Sequence, residues 1–68
     1  MATGTVKWFN AMKGYGFIIP DEGGNDVFVH ISEVEAAGMS GLTEGQKIKF
    51  SVVEEPKGQK AVELGAAE

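Results

Sequence analysis

Two short segments of the chain alternate rings with aliphatic side chains. They cover residues 15–18 and 27–30. Because successive side chains of a β-strand point to opposite faces, a strand conformation places all the rings of these segments on one side. The ring side holds Tyr15, Phe17, Phe28 and His30, and the other side holds Ile18, Val27 and Val29. The aliphatic side is an ordinary core face. The ring side needs a different explanation, since a small domain normally places polar residues at its outer strand positions.

The pattern along the whole chain predicts an all-β fold. We expect strands at residues 5–10, 15–20, 26–30, 47–54 and 60–64, separated by turn-forming residues at 10–14, 21–25 and 55–58. In the fourth strand, alternation places Ile48, Phe50 and Val52 on one side, opposite Lys49 and Ser51.

The segment between the third and fourth strands predicts little helix. Ser32 is a candidate N-cap, and Gly38 stops the helix early, so we expect a single turn and a long loop at residues 31–40. At the other end of the chain, residues 65–68 are expected to fray.

Five short strands with little helix favour a small closed barrel, because closure hides the sheet edges that would otherwise pair with other chains. The chain has 68 residues, and we expect one domain spanning 1–68. A chain of this size buries only about 60% of the surface that its unfolded form exposes. Nearly every aliphatic side chain is therefore needed in one core.

The composition indicates the cellular compartment in which we expect the protein. The chain has no cysteine, which fits a reducing compartment and removes disulfides. Its first residues form no apolar run, and no stretch approaches the roughly 18 apolar residues of a membrane span. We therefore expect a cytoplasmic protein without membrane contact.

The net charge of −4 at first argues against a polyanionic partner. The distribution of charge changes that conclusion. Residues 1–19 carry two lysines and no acid, a local +2, whereas the rest carry four lysines and ten acids, or −6. The positive end coincides with the rings. Arginine is absent, so its bidentate reading of guanine is unavailable to this chain.

Three motifs resemble those of the bacterial cold-shock proteins. They are Lys7-Trp8-Phe9-Asn10, the 13–18 segment Lys-Gly-Tyr-Gly-Phe-Ile, and Asp26-Val27-Phe28-Val29-His30, and they follow one another at that family's spacing. The resemblance covers essentially the whole chain. It implies a small five-stranded antiparallel barrel of the oligonucleotide-binding fold that binds single-stranded RNA and DNA. It also implies an RNA chaperone and regulator of transcription or translation, without cofactor or enzymatic activity, and we expect a monomer.

The candidate binding residues come partly from the pattern and partly from the resemblance. Phe17 and Phe28 must face outward, because turning them inward would expose Ile18, Val27 and Val29, and Tyr15 follows Phe17 by parity. Strict alternation groups Trp8 with Val6 instead, so only a bulge or a strong twist brings it to the ring side. The resemblance places both Trp8 and His30 at the binding surface.

Other candidates have two interpretations. Phe9 either contacts the ligand or plugs one end of the barrel, and Asn10 either starts a turn or also bonds a base. The lysines beside the rings favour phosphate contacts over simple solvation, and they are Lys7, Lys13 and Lys57. Ile31 and Met39 stand where many cold-shock proteins carry aromatic residues, so these two subsites are expected to lack a stacking face.

Rival functions have less support. With no cysteine and one histidine, the chain lacks a nucleophile motif and a His/Cys zinc site. The acidic residues at 21–26 lack the ligand order of an EF-hand and fit a hairpin turn better, so we expect no metal. The main alternative is a small barrel that binds proline-rich peptides through its exposed aromatics. The lysines beside the rings favour phosphate over proline.

Overall fold

The computed structural model describes residues 2–66 of the chain. It contains, in order, β1 (Ala2–Asn10), β2 (Tyr15–Pro20), β3 (Val27–His30), α1 (Ile31–Ala36), β4 (Lys47–Glu55) and β5 (Gly58–Ala66). The five predicted strands are confirmed, and several are longer than expected. The predicted fraying is wrong for Gly65 and Ala66, which pair with Lys49 and Ile48 of β4. The last two residues of that predicted tail, 67 and 68, lie outside the described residues.

The strands close into a barrel in the order β1-β2-β3-β5-β4, with β4 returning to β1. The first three strands form an antiparallel meander, and β4 pairs antiparallel with both β1 and β5. The prediction of an entirely antiparallel barrel is wrong, because β3 and β5 run parallel where Phe28 lies opposite Lys60. An odd number of strands cannot alternate in direction around a closed ring, so at least one neighbouring pair must be parallel.

The core lies inside this barrel, and its members in β2, β3 and β4 follow the predicted alternation. Its members are Val6, Ile18, Val27, Val29, Val34, Ile48, Phe50, Ala61 and Leu64. Val52, which alternation groups with Ile48 and Phe50, is not part of the core, since this side chain is 40% exposed. The reason is that, within residues 2–66, the pairing of β1 with β4 extends only as far as Ala2 and Phe50. The remainder of β4 pairs with β5 alone and forms a hairpin that extends past the enclosed core.

Two bulges interrupt the pairing of the strands. In β1, Val6 pairs with Ile18 and Trp8 pairs with Phe17, so Lys7 is an extra residue. This bulge shifts the alternation and places Trp8 on the face of Phe17, the side that the resemblance implies for it. The second bulge is in β5, where two residues oppose Phe50. One of them, Glu63, has a φ of 54°.

α1 has six residues, of which Val34 is buried. Its N-cap is His30 and not Ser32 as predicted, because the imidazole Nδ1 accepts a hydrogen bond from the backbone N–H of Ser32. The helix ends before Gly38, whose φ of 82° suits a glycine after a helix C-terminus. No helix among residues 2–66 is long and apolar enough to cross a membrane.

Candidate functional site

Five rings lie side by side on the outer face of β1, β2 and β3. This ring cluster consists of Trp8, Tyr15, Phe17, Phe28 and His30. The centroid of Trp8 is 5.6 Å from that of Tyr15 and 5.4 Å from that of Phe17. Phe28 continues the row at 5.7 Å from Tyr15 and 5.8 Å from Phe17, and His30 lies 6.4 Å from Phe28. The structure thus brings together the four rings that the alternation predicted on one face, and it adds Trp8, which the resemblance implies there.

Strand pairing holds this arrangement in place. Phe17 lies directly opposite Phe28, and Tyr15 lies directly opposite His30, so both pairs project from the same face of the β2–β3 ladder. The residues between them, Val27 and Val29, are buried in the core. Rotating the rings inward would therefore need a register shift that also exposes the valines.

The rings are half-buried or exposed and none of them belongs to the core. Most neighbouring pairs meet edge to face, with interplanar angles between 61° and 90°, whereas Tyr15 and Phe28 are stacked at 28°. In an edge-to-face pair the edge of one ring lies against a face of the other, and the partial exposure of all five rings leaves them accessible to another flat group. A contiguous exposed patch of this kind typically marks an interaction site.

Two polar candidate residues beside the rings, Asn10 and His30, each use one side-chain atom in hydrogen bonds within the protein. The Oδ1 atom of Asn10 accepts hydrogen bonds from the backbone N–H groups of Met12 and Lys13, so this residue does start the turn. Its amide NH₂ remains a donor. His30 uses Nδ1 to cap α1, so in the neutral ring Nε2 carries the proton. Both side chains can therefore offer a donor to a ligand.

The predicted lysines have different surroundings. The Nζ of Lys7 lies 2.9 Å from Oδ2 of Asp26, in a pair whose side chains are 51% and 35% exposed. Lys13 is in the turn beside Tyr15, and Lys57 is in the turn between β4 and β5. Neither of these two forms an ion pair within residues 2–66. Their ammonium groups are therefore available to an anion.

A cleft of about 400 Å³ lies between the ring cluster and the β4–β5 turn. It is lined by Phe17, Phe28, Glu55, Lys57, Gly58, Gln59 and Lys60. Lys60 is a cleft residue that sequence reasoning missed. It reaches the rings through the single parallel pairing with Phe28, and no local pattern in the sequence indicates that contact.

Three predicted site residues, Phe9, Ile31 and Met39, are not members of the ring cluster. Phe9 and Met39 are partly buried and pack against the core. The inward position of Phe9 follows from the bulge, because Trp8 faces outward and Phe9, the next residue, then turns inward beside Gly16. Ile31 begins α1, and its backbone N–H donates to the carbonyl of Gly14, which places it next to the 10–14 turn. A ligand contact for these three residues remains a prediction.

One ion pair away from the rings joins the end of β2 to the start of β4, through Asp21 and Lys47. Asp21 accepts hydrogen bonds from Lys47 at 2.7 Å and from Thr3 at 2.8 Å. The Lys47 bond, followed by the Thr3 bond, holds the pKa of Asp21 below its usual value of 3.8. Among residues 2–66, no three His, Cys, Asp or Glu side chains are arranged to hold a metal ion.

Known proteins match this chain over nearly its full length. The model of the family described as the 'cold-shock' DNA-binding domain matches residues 2–66. The probable cold shock protein y4cH of Sinorhizobium fredii is 63% identical over 60 residues, covering 88% of this chain and 87% of the relative. Cold shock protein CspA of Rhizobium meliloti is 57% identical over 61 residues, covering 90% and 88%. Probable cold shock protein A of Mycolicibacterium smegmatis is 54% identical, covering 90% and 91%.

These matches define the class of the protein as a nucleic-acid-binding barrel. The chain belongs to the cold-shock domain family. The ring cluster on the outer face fits that activity, because unpaired bases stack on aromatic side chains.

Proposed function

We propose that this protein binds single-stranded RNA and DNA through the ring cluster, and that it acts as an RNA chaperone and a regulator of transcription or translation. The observation that carries the proposal is the row of five rings on the outer face of the sheet, with lysines at its margins. We treat the whole chain as one such domain, acting as a monomer in the cytoplasm.

The geometry favours single strands over duplexes. A base inside a duplex has both faces covered by its neighbours, so it offers nothing to a flat ring on a protein surface. An unpaired base can turn out of the strand and stack on Phe17, Phe28 or Trp8, each of which is partly exposed on the outer face. Stacking depends little on base identity, so we expect broad sequence tolerance.

The margins of the ring cluster supply contacts for the backbone. We assign phosphate contacts to Lys7, Lys13 and Lys57. The ion pair between Lys7 and Asp26 does not prevent this, because an exposed pair is worth only about 0–1 kcal/mol and exchanges for a phosphate at little cost. Asn10 and His30 donate hydrogen bonds at the end of the row near the 10–14 turn. Ile31, Met39 and Phe9 contribute apolar contact at most.

This mode of binding explains how a chaperone for RNA works without catalysis. A protein that binds only unpaired strands shifts the equilibrium of a hairpin toward its open form by mass action. Contacts through few phosphates keep binding reversible, so that the opened strand is released again. Nothing in this mechanism needs a catalytic residue, and we propose that the protein is not an enzyme.

Fluorescence of Trp8, the only tryptophan, tests the proposal directly. We expect an oligothymidine to change this fluorescence in a saturable way, because a base stacks beside the indole. A proline-rich peptide is titrated in parallel, since small barrels with exposed aromatics also bind such peptides. Saturable binding of the peptide but not of the oligothymidine would contradict the proposal.

The salt dependence of the same titration tests the phosphate contacts. For single strands, each phosphate that a lysine neutralises contributes about −0.7 to the slope of log affinity against log salt. Three lysines therefore predict a slope near −2. A slope steeper than about −5 would require more phosphate contacts than three lysines make. That result would contradict the assignment of these lysines.

A further inference from the structure

The cleft beside the ring cluster contains a carboxylate that phosphate binding does not explain. Glu55 lines the same space as Phe17, Phe28, Lys57 and Lys60. A negative charge at this place repels the phosphates that the lysines attract. Its position suits a ligand group that donates hydrogen bonds, and the edge of a base is such a group.

Strand pairing fixes which side chains share this face. Glu55 lies opposite Gly58 and Val53 lies opposite Lys60, so Glu55 and Lys60 are on the same face of the hairpin. Lys60 is also paired with Phe28, which turns this face toward the ring cluster. The neighbouring acid, Glu54, has the opposite parity and does not line the cleft.

The two charged groups remain available to a ligand. Oε2 of Glu55 lies 4.0 Å from Nζ of Lys60, which is too long for a hydrogen bond, and their side chains are 48% and 30% exposed. Neither side chain makes a hydrogen bond within residues 2–66. The cleft therefore presents two acceptor oxygens and, beside them, an ammonium donor.

Guanine alone among the common bases complements this order of groups. Its Watson–Crick edge has two adjacent donors, N1–H and the N2 amino group, followed by the O6 acceptor. Adenine and cytosine each have one amino donor beside an acceptor nitrogen, and uracil has one N–H between two carbonyls. Only guanine can meet a carboxylate with two hydrogen bonds while offering an acceptor to the ammonium. Proteins that bind single strands do use these edges of unstacked bases.

We propose that Glu55 and Lys60 form a subsite that selects guanine at the nucleotide stacked on Phe28. This rests on the proposed function, since the subsite exists only if a strand lies across the ring cluster. Carboxylate recognition replaces the arginine fork that the chain lacks. The protein then combines sequence-tolerant stacking with one position of base preference.

The test uses strands of seven uridines in which a guanosine replaces each uridine in turn, with binding followed by Trp8 fluorescence. At one position, guanosine should lower Kd by at least about fivefold, the lower end for a bidentate contact to a base. Adenosine at that position controls for the larger stacking area of a purine and should give little gain. Inosine lacks the N2 amino group and should lose most of the advantage of guanosine. Equal Kd values for guanosine and inosine, or for guanosine and adenosine, would overturn the proposal.

Two variants connect the preference to the carboxylate. Glu55→Gln should abolish the advantage of guanosine, while its Kd for the uridine strand stays the same or falls because a repulsive charge is lost. Glu54→Gln removes the same charge from the opposite face and should keep the preference. Retention of the preference in Glu55→Gln would refute the subsite while leaving strand binding intact. Failure of the unmodified protein to bind any strand would instead refute the proposed function, and with it this subsite.

Discussion

Replacing Phe28 separates the binding face of β3 from its core face. The ring lies 5.7 Å from Tyr15 and 5.8 Å from Phe17, so Phe28→Ala removes the middle of the ring cluster. Loss of one stacked base weakens binding by about 1 to 3 kcal/mol, which raises Kd about 5- to 150-fold. Because Phe28 is only half-buried, we expect its loss to lower the free energy of unfolding by about 1 kcal/mol.

The adjacent residue provides the matched control. Val29 is 0% exposed, so Val29→Ala leaves a cavity and should lower the free energy of unfolding by roughly 1 to 3 kcal/mol. The affinity of its folded fraction should stay unchanged. The assay combines urea unfolding with oligothymidine titration, and Kd is corrected for the folded fraction. Unchanged affinity in Phe28→Ala together with weakened binding in Val29→Ala would show that the faces are reversed.

Three further predictions concern single positions. A Cβ on Gly16 would meet the carbonyl of Trp8 and lie 2.8 Å from the Cα of Phe9. Gly16→Ala should therefore lower the free energy of unfolding by about 1 to 3 kcal/mol, and an unchanged midpoint of urea unfolding would refute this close approach. Ile31→Phe supplies a ring and should tighten binding by up to about 1 kcal/mol for strands long enough to reach it, whereas no gain with six or more nucleotides would remove Ile31 from the site. The lowered pKa of Asp21 stabilises the fold above the unfolded value of 3.8, and this contribution disappears as pH falls below it. Asp21→Asn should therefore destabilise the protein at pH 7, and this loss should shrink as pH falls below 3.8. A loss that stays equal at every pH in urea unfolding would contradict the Lys47 interaction.

Much of the binding face could be predicted because it depends on local alternation. The period of two assigns Phe17 and Phe28 to one side as soon as Val27 and Val29 are assigned to the core. The outward position of Trp8 could be predicted only with the resemblance, because alternation alone groups Trp8 with Val6 and leaves a bulge or a strong twist open as the cause.

Features that depend on distant pairing could not be predicted in the same way. The parallel contact between Phe28 and Lys60 joins strands separated by a helix, a long loop and β4, and it creates the cleft. The exposure of Val52 depends on how far along β4 the pairing with β1 extends, which the alternation within β4 does not indicate. The capping role of His30 was missed because histidine is a less common N-cap than serine.

The central claim is that unpaired bases stack on the ring cluster. The most direct measurement is the Kd for an oligothymidine compared with its Kd for a duplex of the same length, at one salt concentration, with Trp8 fluorescence as the signal. Phosphate contacts alone would favour the duplex, since it carries more charge per unit length. The account predicts that the single strand binds at least about tenfold more tightly, because even one stacked base contributes about 1 to 3 kcal/mol. Equal or tighter binding of the duplex would contradict it.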